Sequence, residues 1–133
     1  PNAIAPGKTP LSSMSPTILL KADGTPLLVA GSPGSTRIIT TLIQIISNVV
    51  DHGMTVQEAI DAPRIYADTA GPIEYEKRVD PGVVAGLVAM GYEVAESDAY
   101  ARGFGSVQAV AYGDDGRLYG GADPRRDGKA LGF

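Results

Sequence analysis

Two short segments carry residues that could bind an anionic group. The first is PLSSMSPT at positions 10–17, where Ser12 and Ser13 place two hydroxyl groups side by side. The second is GSPGST at positions 31–36, where Gly34 and Ser35 stand just before a long apolar stretch. Hydroxyl pairs suit a carboxylate, and unpaired amides at a helix start favour negative charge. Together the segments indicate a pocket for an anion or an oxyanion.

Each segment also has a purely structural interpretation. Paired serines are common in solvated turns and local caps. A glycine followed by Ser or Thr is typical of a turn between a strand and a helix. A predicted hairpin separates the two segments, so we expect them to lie at the same end of adjacent strands, where they can share one ligand.

The chain lacks the arrangement of nucleophile and base that such a pocket needs for catalysis. His52 is the only histidine and follows Asp51 near a predicted helix end, where solvation or the helix dipole accounts for it. The acidic residues have no metal-ligand spacing, and there is no cysteine. We therefore expect no metal and no cofactor, and we interpret the chain as a piece of an enzyme.

Composition limits the class of protein further. A chain of 133 residues that is 44% hydrophobic can bury a core, and it corresponds to one domain or part of one. The net charge of −4 arises without a long run of either sign, which argues against nucleic acid or an anionic membrane surface as a partner. Polar residues interrupt the longest apolar stretch, so we expect no membrane span.

The first half of the chain predicts an arm, a hairpin and a helix. Residues 1–10 contain three prolines and a glycine and predict an extended linker arm. Residues 17–21 and 26–30 predict strands around an Asp-Gly turn, and the apolar run at 27–30 predicts a strand covered on both faces. Residues 37–52 show helical periodicity, with Gly53 placed to end the helix.

The second half predicts shorter elements. Thr55 and Glu58 form a capping-box pattern, and Asp80-Pro81 predicts the start of another helix. Predicted strands cover residues 64–67, 73–79, 92–95, 106–112 and 117–119. This order of elements predicts an α+β fold, a mixed sheet with helices layered on it.

Two further segments have simple interpretations. Residues 97–105 show no obvious core residue, which indicates a surface that meets another polypeptide. The charged residues of DAPR at 61–64 and DPRR at 123–126 predict ion-paired corners at the surface, where such pairs contribute little to stability. An alternative role for the second segment is to help close a cleft.

Six motifs in order resemble the C-terminal part of the small subunit of the γ-glutamyltransferases, also called γ-glutamyltranspeptidases or glutathione hydrolases. They are PLSSMSPT (10–17), GSPG (31–34), RIITT (37–41), DHG (51–53), APR (62–64) and DPR (123–125). The motifs extend over nearly the whole chain, and their shared order is far more specific than any one of them.

The resemblance implies part of an N-terminal-nucleophile (Ntn) hydrolase, an αββα sandwich formed when a precursor cleaves itself into large and small subunits. It implies a terminal Thr whose hydroxyl attacks a γ-glutamyl amide and whose amine acts as base. The serines matching Ser12 and Ser13 would hold the substrate α-carboxylate, and the amides of Gly34 and Ser35 would form the oxyanion hole. Partners would be the large subunit and the upstream part of the small subunit, in a periplasmic or secreted enzyme.

The chain departs from the family pattern in three places. Pro1 offers no hydroxyl or thiol, so the nucleophile is expected upstream and the 133 residues alone are expected to be inactive. Ser35 replaces a usual glycine and resists positive φ, and Phe133 stands where Tyr is common. The alternative functions are an Ntn acylase acting on a cephalosporin side chain or poly-γ-glutamate, and a non-catalytic binding module.

Overall fold

The computed structural model describes residues 3–132, so Pro1 and Phe133 lie outside the described part. Residues 3–16 contain no helix or strand. The α-helices of the described residues are α1 (Ile38–Val50), α2 (Val56–Asp61) and α3 (Pro81–Ala89). The strands are β1 (Thr17–Leu20), β2 (Pro26–Gly31), β3 (Ile65–Tyr66), β4 (Ile73–Glu76), β5 (Val94–Ser97), β6 (Gln108–Tyr112) and β7 (Leu118–Ala122). Short 3₁₀ helices span Ser35–Arg37 and Arg102–Phe104.

A four-stranded antiparallel sheet in the order β1-β2-β6-β7 contains both predicted hairpins. The register pairs Thr17 with Ala30, Gly31 with Gln108, and Gln108 with Ala122. Antiparallel pairing therefore brings four segments to one end of the sheet. They are the segments before β1, after β2, before β6 and after β7.

Helices α1 and α2 cover one face of this sheet and form the core with it. Helix α1 starts at Ile38 rather than at residue 37 and ends at Val50, and Gly53 lies just beyond it with φ +66°. Its many β-branched residues have modest helix propensity, so the helix depends on this packing. The fully or almost fully buried apolar residues of the core are Leu28, Ala30, Ile38, Leu42, Ile45, Val56, Ala59, Ile60, Val107 and Ala109.

The opposite face of the sheet has no helical layer within residues 3–132. Leu28 and Ala30 are buried beneath the helices and Leu27 packs against the same core, whereas Val29 lies on the other face and is only half-buried. Ile18 is 64% exposed and Leu118 is 63% exposed on that same face. The prediction that residues 27–30 are covered on both faces is therefore wrong for the described residues, which supply a helical layer on one face only.

A second, three-stranded sheet has the order β3-β4-β5, with β3-β4 antiparallel and β4-β5 parallel. Helix α3 connects the parallel pair, and the Asp80 side chain caps it by accepting from the Gly82 amide. The predicted capping box of Thr55 and Glu58 is also present at α2. The mixture of helices with an antiparallel and a mixed sheet confirms the α+β class.

Two isoleucines of α1 provide a test of this packing. Ile45 is completely buried and Ile43 is 59% exposed. We expect Ile45→Ala to lower the free energy of unfolding by about 2–5 kcal/mol, because the substitution removes packed methyl groups and leaves a cavity. The matched variant Ile43→Ala should change it by about 0.5 kcal/mol or less. Urea denaturation of the 133-residue chain measures both, and equal effects would contradict the assigned face of α1.

Candidate active site

The two segments predicted to share a ligand do lie at the same end of the four-stranded sheet. The segment with Ser12 and Ser13 leads into β1, and the segment with Gly34 and Ser35 leaves β2. The pairing of Thr17 with Ala30 means that both segments leave the sheet at the same end of two adjacent strands. The hairpin between them turns at Gly24, which has φ +86°.

The serine segment is ordered by short-range hydrogen bonds. The Met14 amide donates to Ser12 Oγ over 3.3 Å, and Ser15 Oγ donates to the Ser13 carbonyl over 3.2 Å. The Ser13 hydroxyl itself has no hydrogen-bond partner among residues 3–132, and its side chain is half-buried. The segment therefore presents hydroxyl groups on a backbone that is already folded.

The turn after β2 has an unusual backbone. Gly34 has φ +148° and Ser35 has φ +53°, and Arg37 N–H donates to the Gly34 carbonyl over 3.0 Å. Ser35 thus adopts the left-handed conformation that a serine resists, which strains the backbone by about 1 kcal/mol. Within residues 3–132, neither the Gly34 nor the Ser35 amide has a hydrogen-bond acceptor. Two successive N–H groups are thus available to an external oxygen.

The first turn of α1 is fixed to the second sheet by Arg37. Its guanidinium makes two hydrogen bonds to the Glu74 carboxylate, of 3.0 and 2.6 Å. The guanidinium also stacks 4.0 Å from the centre of the Tyr66 ring. Because Arg37 ends the 3₁₀ helix that starts at Ser35 and is the N-cap of α1, this contact restrains both the turn and the start of the helix.

A buried ionic cluster lies near the same end of the sheet, and its core is Arg64, Glu76, Asp123 and Arg125. Arg64 Nη2 lies 2.7 Å from Asp123 Oδ2, and Arg125 Nε lies 2.7 Å from Glu76 Oε1. The side chains of all four are at most 1% exposed. The two motifs predicted to form separate surface corners therefore pair with each other inside the protein, and that prediction is wrong.

Backbone groups supply further hydrogen bonds to the cluster, although the buried Nε of Arg64 has no partner among residues 3–132. The Ile60 carbonyl accepts from both Arg64 Nη2 and Arg125 Nη1, each over 2.9 Å. The Val107 amide donates to Asp123 Oδ2 over 2.7 Å. Burial, reinforced by the neighbouring Arg125, lowers the pKa of Arg64. Burial opposes the charge of Arg125 as well, but the hydrogen bonds and negative charges of Glu76 and Asp123 together outweigh it and raise the pKa of Arg125.

Residues 97–105 also differ from expectation, since this segment does contribute to the core. Phe104 is 2% exposed, and Gly105 is buried against the turn after β2. Sequence reasoning missed the segment because a single aromatic residue between glycines carries no periodic signal. The described residues contain no cluster of three potential metal ligands, and none of their helices is long and apolar enough to span a membrane.

Comparison with known proteins identifies the family to which this chain belongs. The family profile described as Gamma-glutamyltranspeptidase matches residues 1–133, so the chain belongs to the γ-glutamyltranspeptidase family. The chain is 46% identical over 125 residues to the glutathione hydrolase proenzyme of Escherichia coli K12. This alignment covers 93% of this chain and 21% of that protein. It is 39% identical over 126 residues to the acylase ACY 1 proenzyme of Pseudomonas sp. SE83, covering 95% of this chain and 22% of that protein.

Solved structures agree with this assignment. A γ-glutamyltranspeptidase from Pseudomonas nitroreducens, complexed with L-DON, superimposes with a TM-score of 0.83 at 34% identity and covers 99% of this chain and 68% of that one. The transpeptidase CapD of Bacillus anthracis gives a TM-score of 0.80 at 29% identity, covering 96% and 75%. The fold is thus confirmed as part of the αββα sandwich of Ntn hydrolases. The chain spans about a fifth of the curated relatives it matches.

The strain at Ser35 can be measured. We expect Ser35→Gly to raise the free energy of unfolding by about 0.5–1 kcal/mol, because glycine adopts positive φ readily. Ser47→Gly within α1 is the matched control and should lower it by about 0.5–1 kcal/mol, since glycine is a poor helix former. Chemical denaturation of both variants gives the comparison, and a loss of stability in Ser35→Gly would contradict the left-handed assignment.

The burial of the cluster predicts that an Asp→Asn substitution changes the free energy of unfolding more inside the cluster than at the surface. We expect Asp123→Asn to lower the free energy of unfolding by about 3–5 kcal/mol, because it leaves the charge of Arg64 uncompensated in the interior. Asp98→Asn, which weakens an exposed pair with Lys77, should lower it by less than about 1 kcal/mol. Thermal and urea unfolding distinguish the two, and similar small effects would show that the cluster is hydrated.

Proposed function

We propose that the protein containing this chain cleaves γ-glutamyl amides such as glutathione and transfers the glutamyl group to water or to the amine of an amino acid or peptide. The observation that carries the proposal is the pairing of two features at one end of the sheet. These are the hydroxyls of Ser12 and Ser13 and the unpaired amides of Gly34 and Ser35. Membership of the γ-glutamyltranspeptidase family supports it.

Each feature suits one part of such a substrate. The two serine hydroxyls bind the α-carboxylate of the glutamyl group and so select for it. The two amides receive the negative charge that develops on the amide oxygen during attack, and one such donor contributes on the order of 10²–10³ in rate. Because both amides are fixed by a folded turn, they stabilise this charge without rearranging.

The nucleophile in this proposal is a Thr in a segment upstream of this chain. Its hydroxyl adds to the γ-carbonyl carbon while its own α-amine takes the hydroxyl proton. Collapse of the tetrahedral intermediate expels the leaving amine, which receives that proton, and leaves a glutamyl ester. Water or an acceptor amine then attacks the ester, releases the product and restores the hydroxyl.

The proposed partners are the large subunit and the upstream part of the small subunit of one precursor, which would cover the open face of the four-stranded sheet. The word proenzyme in the names of the relatives supports a precursor with further segments. On this proposal residues 1–133 are a portion of one domain, residues 1–10 are a linker arm, and the complete enzyme is periplasmic or secreted.

A second candidate keeps the mechanism and changes the amide. The similarity to acylase ACY 1 of Pseudomonas favours it, as does a cephalosporin acylase from Bacillus halodurans. The latter superimposes with a TM-score of 0.74 at 26% identity over 80% of this chain and 20% of that one. A cephalosporin side chain or poly-γ-glutamate is then the substrate. In poly-γ-glutamate Ser12 and Ser13 still bind an α-carboxylate, whereas in a cephalosporin they bind another polar group of the acyl side chain.

The proposed function is tested by chromophore release from γ-glutamyl-p-nitroanilide with the full-length protein. We expect turnover in the wild type and a KM raised at least about 10-fold in the Ser12→Ala/Ser13→Ala variant, because the carboxylate loses charge-assisted hydrogen bonds. The matched control is Ser47→Ala, which removes a hydroxyl bonded to Asp51 at the end of α1 and should leave KM unchanged.

A second substrate makes the test specific for the carboxylate. The 4-aminobutanoyl anilide lacks the α-carboxylate, so the wild type should strongly prefer the glutamyl compound and the double variant should lose most of that preference. An unchanged preference would contradict the role of the serines. Turnover of a cephalosporin amide alone would favour the acylase, and a folded, self-cleaved but inactive protein would favour a non-catalytic binding module.

A further inference from the structure

We infer that Ser32 is a positioning residue whose hydroxyl aims the Gly34 amide at the substrate oxygen. The inference rests on the proposed function for its catalytic consequence, but the geometry stands by itself. Ser32 Oγ donates a hydrogen bond of 2.8 Å to the carbonyl oxygen of Pro33. That carbonyl and the Gly34 N–H belong to one peptide group.

A peptide group is planar and rigid, and its C=O and N–H point in opposite directions. A bond that fixes the direction of the Pro33 carbonyl therefore fixes the direction of the Gly34 N–H as well. This restraint is needed because Gly34 has φ +148°, in a region where glycine moves with little steric resistance. Without the bond, the peptide can rotate as a unit and turn its N–H away.

The Ser32 hydroxyl is itself held in one orientation. The Ser106 amide donates to Ser32 Oγ over 3.0 Å. This bond occupies the oxygen as an acceptor and leaves the single hydroxyl proton for Pro33. The hydroxyl thus connects the segment before β6 to the peptide group of the turn after β2.

Gly105 makes this close approach possible. A Cβ at Gly105 would lie 2.7 Å from Ser32 Oγ and 3.3 Å from the Pro33 carbonyl oxygen, and Gly105 has φ +84°. The Gly105 Cα also lies 3.6 Å from where a Cβ of Gly34 would stand. The two loops are therefore in direct backbone contact, and any larger residue at position 105 would push Ser32 away from Pro33.

The supporting loop is fixed from the protein interior. The Phe104 carbonyl accepts from Arg64 Nη1 over 2.8 Å and from Thr41 Oγ1 over 3.2 Å. On the other side of Ser106, the Val107 amide donates to Asp123 over 2.7 Å. Both arms of the loop are thus bonded to the cluster that contains Arg64 and Asp123, and Ser32 transmits that rigidity to the turn.

The kinetic test compares Ser32→Ala, Ser32→Thr and Ser47→Ala in the full-length protein, with γ-glutamyl-p-nitroanilide as substrate and rates expressed per self-cleaved molecule. We expect Ser32→Ala to lower kcat by about 10- to 100-fold with KM changed less than about twofold, since misdirecting an oxyanion donor affects the transition state. Ser32→Thr retains the hydroxyl and should recover most of kcat, and Ser47→Ala should match the wild type. An unchanged kcat in Ser32→Ala, or equal losses in Ala and Thr, would overturn the inference.

Crystal structures of the wild-type and Ser32→Ala full-length proteins test the geometry without activity. We expect the peptide between Pro33 and Gly34 to rotate, or to occupy two orientations, in the variant alone. An unrotated peptide would overturn the inference whatever the kinetics. If the wild type does not cleave the anilide, the proposed function fails, and the crystal structures alone decide whether Ser32 orients the Gly34 amide.

Discussion

The buried pairing of Arg64 and Arg125 with Glu76 and Asp123 is the constraint on which the rest of the structure depends. Charges in a protein interior lose their hydration, and they are tolerated only when they are paired with opposite charges and hydrogen-bonded. Here Asp123 accepts from the Val107 amide and both arginines donate to the Ile60 carbonyl. Because the partners come from α2, β4 and the loops flanking β6 and β7, the cluster fixes the two sheets relative to each other.

This arrangement explains why the proposed active-site turn can keep a strained backbone. A serine at φ +53° persists only where its surroundings determine it more strongly than its own preference. The turn is restrained on one side by Arg37, which is bound to Glu74, and on the other by the loop at Gly105. The amides of Gly34 and Ser35, which have no hydrogen-bond acceptor among residues 3–132, are thereby held in fixed directions.

The face of the four-stranded sheet that no helix of residues 3–132 covers differs in packing from the face beneath α1 and α2. Apolar side chains such as Ile18 and Leu118 remain largely exposed there, whereas the helix-covered face is closely packed. The chain spans about a fifth of its curated relatives, and on the proposed function it contributes one half of the active site. The recognition and oxyanion groups proposed here lie in this half, and the proposed nucleophile lies outside it.

Sequence by itself determined the local features of this protein. The hairpin at Gly24, the capping box at Thr55 and the start of α3 at Asp80 follow from residues within a few positions of each other, so short-range hydrogen bonding and φ preferences suffice. The order of six motifs was likewise enough to place the chain in its family. The predicted hairpin also indicated that the segments with Ser12–Ser13 and Gly34–Ser35 lie at the same end of adjacent strands.

Tertiary structure alone decided which charges are buried and which loops meet. Arg64 and Asp123 are 59 positions apart in the sequence, and each was predicted to lie in an ion pair at the surface. Sequence patterns do not reveal which charged residues pair in the interior. The contact of Gly105 with Ser32 is equally non-local and depends on a backbone approach that leaves no hydrophobic periodicity. Local interactions specify turns and caps, whereas pairing of distant groups depends on the packing of both sheets.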